Sequence, residues 1–160
     1  MFLTHAATLI LIIALSALFW IDFRTYRLPD AMTLPLIAAG LALNAFVFST
    51  PWASLIGAAA GYLAFVAVEI LFRRITGRNG LGRGDAKLIA AGGAWCGGWL
   101  LPSMVLVGTG SALLFVLGKA VVQRRLPRRD EAFAFGPWLA VGIAAGWIYR
   151  AYGPGLYPVL

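Results

Sequence analysis

The sequence has few charged residues, one cysteine and one histidine. Only 12% of its 160 residues are charged, whereas 61% are hydrophobic; soluble domains have about a quarter charged residues. With Cys96 as the only cysteine, no disulfide and no paired-cysteine metal site can form within one chain. This composition favours a protein buried in a lipid bilayer over a soluble domain with one large core.

Apolar segments follow one another along the whole chain. The six segments are residues 2–21, 33–50, 52–72, 86–101, 103–122 and 133–149, and most approach the roughly 20 residues that cross a bilayer. The first has no Lys or Arg before it and no small-residue cleavage site after it, so we interpret it as a retained helix, not a signal peptide. We predict an all-α, polytopic membrane protein of six transmembrane helices, with residues 1–160 forming one domain.

The basic residues lie in alternate loops. Arg150 alone falls on one side of the predicted membrane, and the basic residues form no continuous face for nucleic acid. The positive-inside rule then places both termini outside and the three basic loops in the cytoplasm. Those loops carry twelve of the thirteen basic residues: Arg24, Arg27, Arg73, Arg74, Arg78, Arg83, Lys87, Lys119, Arg124, Arg125, Arg128 and Arg129.

Glycine pairs four residues apart occur in three of the apolar segments. This spacing lets helix backbones approach closely, so we expect these helices to form the centre of the bundle. The pairs are Gly57 and Gly61, Gly93 and Gly97, and Gly142 and Gly146.

Four of the six acidic residues have simple structural explanations. Asp30 follows a proline and precedes an apolar run, so we expect a helix N-cap. Glu69 lies four residues before Arg73, which predicts an ion pair within one helix. Asp130 and Glu131 follow arginines in a loop, where charge balance and capping suffice.

Asp22 and Asp85 lie at the same predicted cytoplasmic boundary. Asp22 directly follows an apolar segment and Asp85 directly precedes one. Ionisable groups at such a depth are costly and usually functional. On spacing alone, helix capping or pairing with Arg24 and Lys87 explains them equally well. Glycines lead into Asp85, and we expect them to form a mobile loop: Gly77, Gly80, Gly82 and Gly84.

Two carboxyl groups that meet away from water can hydrolyse a peptide without a metal, a cofactor or a nucleophilic side chain. The ionised carboxylate takes a proton from water, and the protonated one polarises the carbonyl. His5 lies near the outer end of the first segment, which excludes a Ser–His triad at the cytoplasmic boundary. Since Asp85 begins a helix and Asp22 ends one, helix dipoles lead us to expect the charge on Asp85 and the shared proton on Asp22.

Three stretches resemble the type IV prepilin peptidases, an intramembrane aspartic family with a GxGD motif. Residues 21–35 (IDFRTYRLPDAMTLP) resemble the first motif, which places a catalytic aspartate at Asp22. Residues 76–98 (TGRNGLGRGDAKLIAAGGAWCGG) resemble the second, which places the other at Asp85, the motif glycines at Gly82 and Gly84, and Lys87 as a supporting residue. Residues 134–138 (AFGPW) resemble a third, non-catalytic motif.

The resemblance implies an endopeptidase of the bacterial inner membrane whose active site faces the cytoplasm. Its substrates would be prepilins or type II secretion pseudopilins, cleaved between a basic leader and an apolar helix. The enzyme would lie in membrane lipid and would not bind nucleic acid. Two features depart from the family. No paired-cysteine domain is present, so we expect no methyltransferase activity, and Arg78 and Asn79 replace a frequent Lys-Glu pair.

Two alternatives use the same residues differently. One is a small proton-coupled transporter with Asp22 and Asp85 as a relay, although both carboxylates lie at one edge and no inverted repeat is visible. The other is a non-catalytic assembly factor for pili or secretion.

The charge distribution predicts where reporter fusions become active. A reporter fused after Leu160 should report the outer compartment, and one fused near Arg125 should report the cytoplasm, because the positive-inside rule sets the two sides. A cytoplasmic signal from the Leu160 fusion would refute this topology.

Overall fold

Every regular element is a helix within the residues that the computed structural model describes, 2–77, 82–124 and 133–153. A 3₁₀ turn, Gly98–Leu100, joins the fourth and fifth α-helices. No strand occurs in these ranges, so the predicted all-α class is confirmed. The helices are α1 Phe2–Thr25, α2 Asp30–Phe46, α3 Pro51–Thr76, α4 Arg83–Cys96, α5 Leu101–Gln123 and α6 Gly136–Tyr152.

Three helical segments are long and apolar enough to cross a membrane. They are α1, α3, and the segment Gly98–Gln123 that combines the 3₁₀ turn with α5; α2 is a shorter apolar helix. Large apolar side chains cover their outer faces, among them Ile13, Leu63 and Leu114. So much exposed apolar surface is typical of a protein that lies in lipid.

Helix α4 occupies the centre and packs against α2, α3, α5 and α6. Almost every residue from Asp85 to Cys96 is buried. The helix can be central because many of its residues are glycine or alanine. A Cβ atom at Gly93 would overlap the carbonyl oxygen of Gly57, and one at Gly142 would overlap that of Met104. The predicted close approach of helices is thus confirmed at these glycines.

Several helix ends differ from the ends of the predicted apolar segments, and three of them bear on the site and the packing. α1 continues to Thr25, so Asp22 lies in its last turn and not beyond it. α2 ends at Phe46. α4 ends at Cys96, five residues before the predicted end, because Gly97 adopts a φ of +80° that a helix cannot continue. Gly97 therefore ends the helix and does not pack along it.

The helices alternate in direction, which gives the bundle two distinct ends. At one end the last turn of α1 meets the first residue of α6. At the other end, Nδ1 of His5, near the start of α1, lies 2.9 Å from the hydroxyl oxygen of Tyr152, at the end of α6. We call the first the aspartate end, because Asp22 and Asp85 lie there, and the second the opposite end.

Replacing Gly93 by Ala should destabilise the protein by about 1–3 kcal/mol, since the new methyl group has to push α3 away from α4. Gly110→Ala is the matched control: the new Cβ meets nothing within 4 Å, so the change should be neutral or stabilise by up to about 1 kcal/mol. Thermal unfolding in detergent measures both. Equal effects of the two substitutions would contradict the packing of α3 on α4.

Candidate active site

Asp22 and Asp85, from two separate helices, line one cleft at the aspartate end. Its volume is about 390 Å³. Both charged and apolar side chains line it. The lining residues are Asp22, Tyr26, Arg27, Leu28, Gly82, Arg83, Gly84, Asp85, Phe133, Ala134 and Phe135.

Asp22 is held by the beginning of α6. Its side chain is buried, with the residue only 5% exposed, and its Oδ2 accepts a hydrogen bond from the backbone N–H of Gly136 at 3.1 Å. Gly136 is the first residue of α6, so the partial positive charge of a helix N-terminus faces this carboxyl group. A Cβ at Gly136 would come within 2.7 Å of the same oxygen. Only glycine therefore allows this contact.

Asp85 lies in the first turn of α4, ahead of the apolar part of that helix. It is 9% exposed. Burial, and next the nearby charge of Asp22, raise the pKa of Asp85 to about 7, although a hydrogen bond from the Gly82 backbone opposes the rise. A carboxyl group with this pKa is protonated below pH 7 and can donate a hydrogen bond.

Leu28 packs against the first turns of α4 and α6, which border the cleft. A Cβ at Gly84 would lie 2.9 Å from the Leu28 Cβ, and one at Gly136 would lie 3.1 Å from its Cδ1. The lack of a side chain at Gly84 thus lets α4 pack closely against Leu28, a role that the expected loop mobility does not include. At Gly82 a Cβ would make only ordinary contact with Asp85, at 3.5 Å. Sequence reasoning missed Leu28, since nothing distinguishes one leucine in a short polar loop.

Lys87 forms an ion pair away from the cleft lining. Its Nζ lies 2.5 Å from Asp30 Oδ1, which connects the starts of α2 and α4. The predicted N-cap role of Asp30 is wrong: Asp30 is the first residue of α2, and its helix has no side-chain cap. The carboxylate instead neutralises Lys87.

Glu69 pairs with Arg83, not with Arg73 as predicted. The Arg83 Nε to Glu69 Oε2 distance is 3.5 Å, so the contact joins α3 to the residue that begins α4. Among the other predicted residues, Arg78, Asn79, Gly80, Asp130 and Glu131 lie outside the described ranges. Within those ranges no three His, Cys, Asp or Glu residues gather to hold a metal ion.

Comparison with known proteins assigns the chain to a family. Residues 9–117, which include Asp22 and Asp85, match the type IV leader peptidase family. The chain belongs to this family. The resemblance drawn from the motifs is therefore confirmed, and the family together with the apolar helices indicates a bacterial membrane protein.

Several curated relatives in the type IV leader peptidase family are named prepilin leader peptidase/N-methyltransferase. That of Dickeya chrysanthemi is 44% identical over 140 residues, 86% of this chain and 48% of the relative. That of Stutzerimonas stutzeri is 40% identical over 149 residues, 92% of this chain and 50% of the relative. The chain thus spans about half the length of these relatives. No solved structure matches it.

Proposed function

We propose that this chain is an aspartic endopeptidase that removes the leader peptide from type IV prepilins or type II secretion pseudopilins. The observation that carries the proposal is the pair of buried carboxyl groups, Asp22 and Asp85, in one cleft. Membership of the type IV leader peptidase family and the names of the curated relatives support the substrate class. No cofactor is required, and a methyltransferase activity is not proposed.

We assign the roles within the pair in the reverse of the order expected from the sequence. Both carboxyl groups face a helix N-terminus: Asp85 lies in the first turn of α4, and Asp22 accepts a hydrogen bond from the start of α6. The dipole argument therefore no longer favours Asp85 as the anion. Each carboxyl group accepts a backbone hydrogen bond that stabilises its charged form, Asp22 from Gly136 and Asp85 from Gly82. The pKa of about 7 at Asp85 is therefore what supports placing the proton on that residue.

In the proposed reaction, Asp22 acts as general base and Asp85 as general acid. Asp22 takes a proton from a water molecule as the water oxygen bonds to the scissile carbonyl carbon, and Asp85 gives its proton to the carbonyl oxygen. The tetrahedral intermediate then collapses. The carbon–nitrogen bond breaks, the nitrogen receives the proton held by Asp22, and Asp85 regains its proton from a hydroxyl group of the intermediate.

We further propose six membrane spans with the aspartate end facing the cytoplasm. Arg24 lies in the last turn of α1, and Arg73 and Arg74 lie in the last turn of α3. By the alternation of helix directions these basic residues share the end that carries Asp22 and Asp85, which is the arrangement expected of a cytoplasmic face. A prepilin with its leader in the cytoplasm and its apolar helix in the bilayer would present the scissile bond at this level.

Asp22→Asn and Asp85→Asn should each reduce prepilin cleavage at least about a hundredfold, because each removes one half of the acid–base pair. Mass analysis of a prepilin incubated with detergent-purified protein gives both the rate and the cleavage point. Asp30→Asn is the control: it loses an exposed ion pair to Lys87, worth about 1 kcal/mol or less, and should cleave normally.

Two results would count against the assignment. Substantial cleavage by either dyad variant would remove that aspartate from the mechanism. Failure of the unaltered chain to shorten any prepilin or pseudopilin would instead favour the transporter or the assembly factor.

A further inference from the structure

Arg150 lies at the opposite end of the bundle and reaches into its interior. Its Nη1 donates to the backbone oxygen of Trp95 at 2.5 Å. Its Nη2 donates to Asn44 Oδ1 at 2.5 Å and to Thr50 Oγ1 at 3.2 Å. The guanidinium also lies over the ring of Phe48, 5.2 Å from its centroid. A charged group so placed in an apolar protein is costly, which argues that it has a role.

The backbone acceptors of this cluster are carbonyl groups in the last turn of α4, those of Ala94 and Trp95. A helix leaves its final four carbonyl groups without partners in the helix itself, and α4 ends among other helices. Asn44 Nδ2 donates to the carbonyl oxygen of Ala94 at 2.8 Å, and Ser54 Oγ donates to the same oxygen at 2.5 Å. Asn44 is fully buried and Ser54 is 1% exposed. α2, α3 and α6 thus each contribute a side chain that holds the end of α4.

Arginine suits this place for two reasons. The C-terminal end of a helix carries a partial negative charge, which a cation stabilises. The planar guanidinium also presents several N–H groups at fixed angles, so Arg150 can contact Trp95 and Asn44 together. A lysine would supply the charge and one of these contacts, because its ammonium group is a single point on a flexible chain.

The held end of α4 is connected to the candidate active site by the helix itself. Asp85 precedes Trp95 by ten residues, which corresponds to about 15 Å along the axis. Since α4 is continuous and almost entirely buried in this stretch, a shift of its end is transmitted to its beginning. The pair of carboxyl groups depends on that beginning, because Asp22 belongs to a different helix.

We propose that Arg150 is a positioning residue for the reaction: by binding the end of α4 it fixes the depth of that helix and so keeps Asp85 within reach of Asp22. The proposal rests on the peptidase function proposed above, although the holding of α4 can be tested without it. Sequence reasoning gave Arg150 no role beyond being the only basic residue on its side.

Cys96 provides a native probe of the end of α4. It follows Trp95 directly, is the only cysteine in the chain, and is 2% exposed, so alkylation by N-ethylmaleimide should be slow. Arg150→Met should speed the alkylation at least about tenfold, as expected when one charge-assisted hydrogen bond is lost and the thiol becomes accessible. This increase opposes the removal of a nearby cation, which by itself disfavours the reactive thiolate. The alkylation rate of Arg150→Lys should lie between those of the unaltered protein and Arg150→Met. Arg74→Met, which removes an exposed arginine from the end of α3, should leave the rate unchanged.

Cleavage kinetics test whether the effect reaches Asp85. For a prepilin substrate, Arg150→Met should lower kcat at least about tenfold with little change in KM, because the cleft lies at the other end, and Arg150→Lys should restore part of the loss. The alkaline limb of the pH profile should also move to lower pH, because a displaced Asp85 loses the burial that raises its pKa. A purely structural loss would reduce the amount of active enzyme and leave this limb in place.

The outcomes separate the two proposals. Faster alkylation with unchanged kcat, or reduced kcat with Cys96 still protected, would overturn the positioning role. If the Arg150→Met protein does not fold, Ser54→Ala tests the same end of α4 with a smaller change. It should raise the alkylation rate and lower kcat, each by less than Arg150→Met would. No change in either quantity would also overturn the positioning role. If the unaltered chain cleaves no prepilin, the peptidase proposal fails. The proposal that Arg150 holds the end of α4 would be refuted separately if Arg150→Met left the alkylation rate of Cys96 unchanged.

Discussion

The terminal carbonyl groups of a helix need hydrogen-bond donors wherever the helix ends away from water, and unpaired ones cost several kcal/mol each. Helix α4, about 21 Å long, ends in this way at Cys96. Asn44, Ser54 and Arg150 supply the donors. Because its small residues also let α3 approach at Gly93, α4 lies fixed at the centre of the bundle, and Asp85 at its other end is fixed with it.

The second consequence of this arrangement is electrostatic. The N-termini of α4 and α6 both point into the cleft, so two helix dipoles favour a negative charge there, while burial and the proximity of two carboxyl groups disfavour a second one. A pair carrying one proton balances these effects. The proton is assigned to Asp85 because burial and the nearby charge of Asp22 raise its pKa to about 7. Each carboxyl group accepts a backbone hydrogen bond, Asp22 from Gly136 and Asp85 from Gly82.

Much of the fold was predictable because apolar runs and the positions of Asp22 and Asp85 are local properties of the sequence. Contacts between distant segments were not. Nothing in the sequence brings Gly136 to Asp22, pairs Lys87 with Asp30, or sends Arg150 to the end of α4. The early end of α4 was also hidden, because the residues that follow Gly97 remain apolar and the stop depends on one backbone angle.

Carbon-13 NMR of the carboxyl groups, with aspartate labelled and Asp22→Asn and Asp85→Asn used for assignment, observes the state of the pair directly. The sequence contains only four aspartates, so the signals can be resolved. We expect Asp85 to be protonated at pH 6 and to titrate with a midpoint of about 7, while Asp22 is ionised at the same pH. Two carboxyl groups that are both ionised at pH 6 would contradict the dyad, and a protonated Asp22 beside an ionised Asp85 would contradict the assignment of acid and base.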